Sequence, residues 1–81
     1  MKSLRVYSRP GCHLCEQLID ELLPLVRGQL DVEVVDIDSR ADWQEAFSER
    51  IPVVEFEGRV ISQYKLDAAL IRELKDQLAL N

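Results

Sequence analysis

Hydrophobic positions along the chain change period several times, and each change predicts an element. Leu4 and Val6 alternate with Arg5 and Tyr7, so Leu4 to Ser8 predicts a short strand. Arg9-Pro10-Gly11 interrupts it as a loop. From Cys12 to about Val26 the period becomes helical, with Leu14, Leu18, Leu22 and Leu25/Val26 at one spacing and Ile19 widening the stripe. Pro24 denies Asp20 its backbone partner, which predicts a distorted last turn, and Gly28 predicts the stop. Val32 to Ile37 is rich in β-branched residues and predicts a second strand. Ser39, followed by Asp42, predicts a helix N-cap. The short helix it opens, Ala41 to about Arg50, would turn Trp43, Ala46 and Phe47 inward, so Trp43 reads as core. Val53 to Phe56 and Arg59 to Ile61 flank Glu57-Gly58 and predict an antiparallel hairpin. Tyr64 to Leu80 carries Leu66, Leu70, Leu74 and Leu78 at every fourth position and predicts a closing amphipathic helix.

The order is β-α-β-α-β-β-α. A helix joins the first two strands, which predicts a parallel pair with a right-handed crossover. The hairpin would add antiparallel strands to the same sheet. The expected architecture is α/β, a central four-stranded mixed sheet with helices on both faces. No internal repeat or linker divides the chain, so one domain is expected over residues 1–81.

Composition narrows the function. At 81 residues and 47% hydrophobic, the chain can build one core and no more. Ten Lys and Arg against fifteen Asp and Glu give a net charge of −5, which argues against nucleic-acid binding. Charges at Lys2, Arg5 and Arg9 leave no apolar signal core, and no apolar run is long enough to span a bilayer. The expected setting is the cytoplasm, without a membrane and as a monomer, with thiols held reduced. The charge is unevenly spread: residues 1–15 hold three basic side chains and no acid, while residues 31–81 hold six basic and twelve acidic ones. The cysteines therefore follow a locally basic stretch, and positive neighbours lower a thiol pKa.

The chemistry centres on Cys12-His13-Leu14-Cys15, just after a predicted strand and at the start of a helix. This spacing near a βαβ pattern is a redox signal. Free backbone N–H groups at a helix start favour an anion, and the thiolate is the form that attacks a disulfide. Cys12 is expected to be the more exposed. Cys15, one turn on and near Leu18 and Ile19, is expected to be shielded and placed to resolve a mixed disulfide. Three other readings compete: two structural core thiols, a zinc half-site completed by His13, and haem attachment. Haem attachment needs His after the second cysteine, where Glu16 stands, and chelation by all three of Cys12, His13 and Cys15 is strained, so no metal is expected. His13 reads either as a solvent-facing spacer or as a charge that stabilises the Cys12 thiolate, and Arg9 has the same two readings. Ile51-Pro52 opens the third strand, where a proline is tolerated.

The order of elements, together with Tyr7-Ser8-Arg9-Pro10-Gly11-Cys12-His13-Leu14-Cys15, resembles the glutaredoxins of the thioredoxin-fold superfamily. Ile51-Pro52-Val53-Val54 matches that family's Val-Pro segment and Gly58 the glycine of its hairpin, so the resemblance covers nearly the whole chain. It implies a thiol–disulfide oxidoreductase acting on disulfide-containing or glutathionylated proteins. No tightly bound cofactor is implied; glutathione would be a co-substrate, and glutathione or a thioredoxin-reductase-like partner the electron donor. It implies that Cys12 is the nucleophile, Cys15 the resolving cysteine and Pro52 a cis-proline against the active site. The Ile51 backbone would pair with an extended peptide or glutathione, and Arg9 would lie near the glutathione carboxylate, with His13 beside the substrate. An alternative within the same fold is a non-catalytic interaction module or an iron–sulfur carrier. The chain departs from the family where Gly-Gly and acids usually follow the hairpin: here stand Ser62-Gln63-Tyr64-Lys65. The motif dipeptide is His13-Leu14 rather than Pro-Tyr, and Val6 stands where thioredoxins bury an acid.

Overall fold

The computed structural model describes residues 2–79. Four strands, β1 (Ser3–Ser8), β2 (Asp31–Asp36), β3 (Val53–Phe56) and β4 (Arg59–Gln63), form one sheet in the order β2-β1-β3-β4. β1 pairs parallel with β2, from Ser3 opposite Asp31 to Ser8 opposite Asp36. It pairs antiparallel with β3, Val6 opposite Val54 and Tyr7 opposite Val53. β3 and β4 form the expected hairpin, with Glu57 (φ 50°) and Gly58 (φ 82°) both left-handed in its turn, the backbone a right-twisted hairpin requires. The mixed sheet and its helices match the architecture expected from the pattern.

Because β1 is central, its alternation serves two layers. Leu4 and Val6 are buried with Val54 on one face, against Leu18, Leu22 and Val26 of helix α1 (His13–Val26) and Ile71 of helix α3 (Ala68–Ala79). Each fully buried aliphatic side chain contributes about 2 kcal/mol of transfer free energy. On the other face Tyr7 packs with Ile37 and Val53, covered by Trp43 and Phe47 of the short helix α2 (Ala41–Phe47). Tyr7 stacks on Phe47 at 4.2 Å and meets Trp43 edge-on at 5.6 Å.

Several local expectations are corrected. The buried stripe of α1 is Cys15, Leu18, Leu22 and Val26, and Leu14 is exposed. Both sets have helical spacing, but at the helix start the stripe shifts by one residue, because Cys15 and not Leu14 faces the sheet. As expected, helix α1 runs through Pro24 to Val26, and Gly28 (φ 79°) follows its end. Ile37 leaves the second strand and is buried at the start of a single 3-10 turn, Ile37–Ser39. The N-cap of α2 is Arg40, not Ser39, whose hydroxyl donates instead to the Asp36 carbonyl at 2.6 Å. Helix α2 ends at Phe47, and Ala46 is exposed rather than inward. The last helix begins at Ala68, where Asp67 accepts the Leu70 N–H at 3.1 Å, so Leu66 packs on the core from the preceding loop. Leu80, expected in that helix, lies outside the described residues. Among those residues no helix is long and apolar enough to cross a membrane.

Candidate active site

Arg9-Pro10-Gly11-Cys12 makes a tight turn from the end of β1 into α1. The Cys12 N–H donates to the Arg9 carbonyl at 3.2 Å, and Gly11 takes φ 78°. Proline second and a left-handed glycine third are the residues a type II turn requires. The turn delivers Cys12 to the N-cap of α1, in extended backbone, with its carbonyl accepting the Glu16 N–H at 3.1 Å. The Cys12 sulfur in turn accepts the Cys15 N–H at 3.2 Å. An N-cap side chain normally satisfies this donor with oxygen; here sulfur does so. In the reduced protein a thiolate accepts that bond better than a thiol, and the positive end of the helix favours it further.

Cys12 and Cys15 are paired as a disulfide, with Cα atoms 5.2 Å apart. Cys15 is fully buried on the inner stripe of α1, while Cys12 is half-buried at the surface. The spacing causes this difference: a three-residue step from the cap reaches the row of Leu18 and Leu22.

Strand register brings a second segment to the same end of the sheet. Tyr7 lies opposite Val53, so the turn that follows β1 and the Ile51-Pro52 segment that precedes β3 adjoin. The Ile51-Pro52 bond is cis and Pro52 is buried. The Ile51 N–H donates to the Phe47 carbonyl at 3.1 Å, so it is already engaged by the end of α2. The stack of Phe47 on Tyr7 thus fixes the segment. The Pro52 carbonyl accepts the Tyr64 N–H at 2.9 Å, and the Tyr64 hydroxyl donates to the Glu49 carbonyl at 2.8 Å. Arg50 Nε donates to Gln63 Oε1 at 2.8 Å. The stretch after β4 is therefore tied to both sides of the cis-proline.

The electrostatics correct the expectation of a basic corner. Arg9 binds Asp38 through Nε (3.1 and 3.2 Å) and Nη2 (3.0 Å), and reaches Ser48 Oγ at 3.3 Å. Arg5 pairs with Glu33 and Lys2 with Glu57. Each cation of the basic stretch has an acid from further along the chain. The Arg9 guanidinium, and then the Gln44 amide, hold the Asp38 carboxyl below the usual carboxylate range. The His13 side chain is 92% exposed, with Nδ1 3.8 Å from Glu16 Oε2. Burial pushes the Tyr7 hydroxyl up, and its acceptor Glu55, at 3.1 Å, adds to this against the opposing hydrogen bond of Arg5.

The sequence reading missed Asp38 as the partner of Arg9, 29 residues away, and Tyr64 as the bridge between β4 and the cis-proline segment. No local signal marks either one. Tyr64 holds φ 65°, a backbone a glycine takes more easily.

A β2-β1-β3-β4 mixed sheet, with a Cys-X-X-Cys pair capping the helix after its central strand, defines a dithiol protein of the thioredoxin superfamily. Within it, the chain belongs to the family described as Glutaredoxin-like domain (DUF836), whose profile matches residues 3–75. It is similar to the solution structure of protein Ne2328 from Nitrosomonas europaea, with 33% identity and a TM-score of 0.80 over 90% of this chain and 89% of that one. It is 26% identical to the Glutaredoxin-like protein YDR286C homolog of Dictyostelium discoideum, over 80% of this chain and 67% of the relative. Thioredoxin 1 from Thermosipho africanus shares the fold, at 13% identity and a TM-score of 0.63 over 96% of each chain.

Proposed function

We propose that this chain is a thiol–disulfide oxidoreductase that reduces disulfides through Cys12 and Cys15. The Cys12 thiolate attacks one sulfur of a substrate disulfide; the substrate S–S bond breaks, a mixed disulfide forms and the first substrate thiolate leaves. The Cys15 thiolate then attacks the Cys12 sulfur and expels the second substrate thiolate. The dithiol loses two electrons and becomes the Cys12–Cys15 disulfide, and the substrate gains both. Two glutathione molecules, themselves oxidised to their disulfide, or a thioredoxin-reductase-like donor then restore the dithiol. In a reducing compartment such as the cytoplasm the dithiol is the resting form.

One observation carries the reading. The Cys12 sulfur sits at the N-cap of α1 accepting the Cys15 N–H at 3.2 Å, with Cys15 buried one turn beneath it. A more accessible sulfur at a helix N-cap, where an anion is favoured, beside a shielded one supports the division of labour that the two-step exchange needs. Arg9 ties the turn to Asp38, and that pairing offsets part of the charge its guanidinium would lend the thiolate. The test compares the parent with Cys12→Ser in a disulfide-reduction assay supplied with dithiol reductant. Loss of turnover in the variant is expected; equal activity would sink the reading.

A further inference from the structure

A groove of about 290 Å³ lies between the N-terminal half of α1, from Leu14 to Glu21, and the turn after β4. Leu14, Leu18 and Glu21 line one side, and Tyr64, Lys65 and Leu66 the other. Leu14 and Tyr64 are 51% and 50% exposed, two of five large apolar side chains left uncovered among the described residues. The groove starts two residues from Cys12, and from Leu14 to Glu21 it extends about 10 Å at the helical rise per residue. An extended peptide covers that length in about three residues. Its volume falls just short of the roughly 300–1,000 Å³ of pockets that enclose a whole small molecule. Lys65 makes no ion pair among the described residues. Its wall is held in place, because Tyr64 is tied to the Pro52 and Glu49 carbonyls and Ser62 Oγ donates to the Lys65 carbonyl at 2.8 Å.

We propose that this groove is a side-chain subsite for an extended polypeptide disulfide, seating a large apolar residue within three positions of the substrate's reacting cysteine, with a neighbouring substrate carboxylate meeting Lys65. The proposal rests on the redox reading of Cys12 and names its substrate class. Leu14 lies within the Cys-X-X-Cys motif and the Tyr64 N–H is bonded to the Pro52 carbonyl, so both walls of the groove begin at the end of the sheet that carries the cysteines. The apolar floor of Leu14, Leu18 and Tyr64 selects the side chain, and the unpaired ammonium selects the charge. Glutathione carries no large apolar group and gains nothing from that floor.

The test uses the reduced parent and three synthetic disulfide-linked peptides, with Leu-Glu, Ala-Glu or Leu-Lys at the second and third positions after cysteine. The expected kcat/KM for Leu-Glu exceeds that for Ala-Glu about tenfold, from the extra methylenes removed from water. It exceeds that for Leu-Lys about threefold, as suits an exposed ion pair. In Leu14→Asp the Leu/Ala ratio falls below two, and in Lys65→Glu the preference for Glu over Lys inverts. These are ratios within one enzyme, so a general loss of turnover does not imitate them. Rates within twofold across the three peptides would overturn the subsite and leave the Cys12 chemistry standing. Undiminished reduction by Cys12→Ser would overturn the redox reading itself.

Discussion

Alkylation of Cys12 in the reduced protein reads the one interaction that the candidate site depends on. The sulfur caps α1 and accepts the Cys15 N–H at 3.2 Å. A thiolate at that position gains about 0.3–1 kcal/mol from the helix dipole. The hydrogen bond, once charged, gains roughly another 1 kcal/mol over its neutral form. Together these favour ionisation about tenfold. A free cysteine is about 3% thiolate at pH 7, so Cys12 is expected to be about one-quarter ionised there. A more acidic thiolate is also a weaker nucleophile, and with a Brønsted slope of about 0.4–0.5 it loses about threefold in intrinsic rate. The net expectation is alkylation by iodoacetamide about threefold faster than a free cysteine peptide at pH 7, and about threefold slower at pH 10, where both are ionised. Cys15, fully buried, is expected to react far more slowly. Arg9→Ala should change the Cys12 rate less than twofold, because the Asp38 carboxylate already balances the guanidinium. A Cys12 profile that superimposes on the free peptide would refute the capping argument. A fivefold or larger effect of Arg9→Ala would show that the paired guanidinium still acts on the sulfur.

Cys15→Ser removes the resolving sulfur, so a mixed disulfide of Cys12 with substrate should accumulate; intact-protein mass spectrometry reads the added mass. Gly11→Ala meets no atom within 4 Å of the new Cβ, so its cost is the left-handed backbone alone. About 1 kcal/mol is expected, a fall in Tm of roughly 4–8 °C by calorimetry, with disulfide reduction retained. Asp38 is held below the usual carboxylate range by Arg9. Its contribution to stability is fully present above the unfolded carboxyl pKa and is lost as pH falls through the lower folded value. Asp38→Asn should therefore lower stability near neutrality and flatten the acid limb of a denaturation-against-pH curve, while an unchanged limb would argue against the pairing.

The architecture was legible in the sequence because period reports burial. Leu4 and Val6 on one face of β1 and Tyr7 on the other already imply a central strand covered on both sides. The position of the cysteines was legible for the same reason, since Pro10 and Gly11 dictate the turn and helical spacing the stripe. What periodicity alone could not decide was the phase of α1. Leu14, Leu18, Leu22 and Cys15, Leu18, Leu22 are both regular, and only the docked helix shows that Cys15 faces inward and Leu14 outward. Long-range polar partners were equally hidden. The net charge of the first fifteen residues suggested an electropositive corner, yet Asp38, Glu33 and Glu57 reach it only through the β1–β2 register and the hairpin. The contact of the Ile51 N–H with the Phe47 carbonyl was hidden in the same way, because it is set by where α2 ends.

A single-turnover count of thiols tests the central claim most directly. Fully reduced protein is mixed with an equimolar peptide disulfide in the absence of any other reductant, quenched with an alkylating agent and mapped by mass spectrometry. The proposed two-step exchange predicts one Cys12–Cys15 disulfide formed for each substrate disulfide reduced. A Cys12–peptide mixed disulfide that persists with Cys15 recovered as an alkylated thiol, or no reduction by a folded protein, would contradict it.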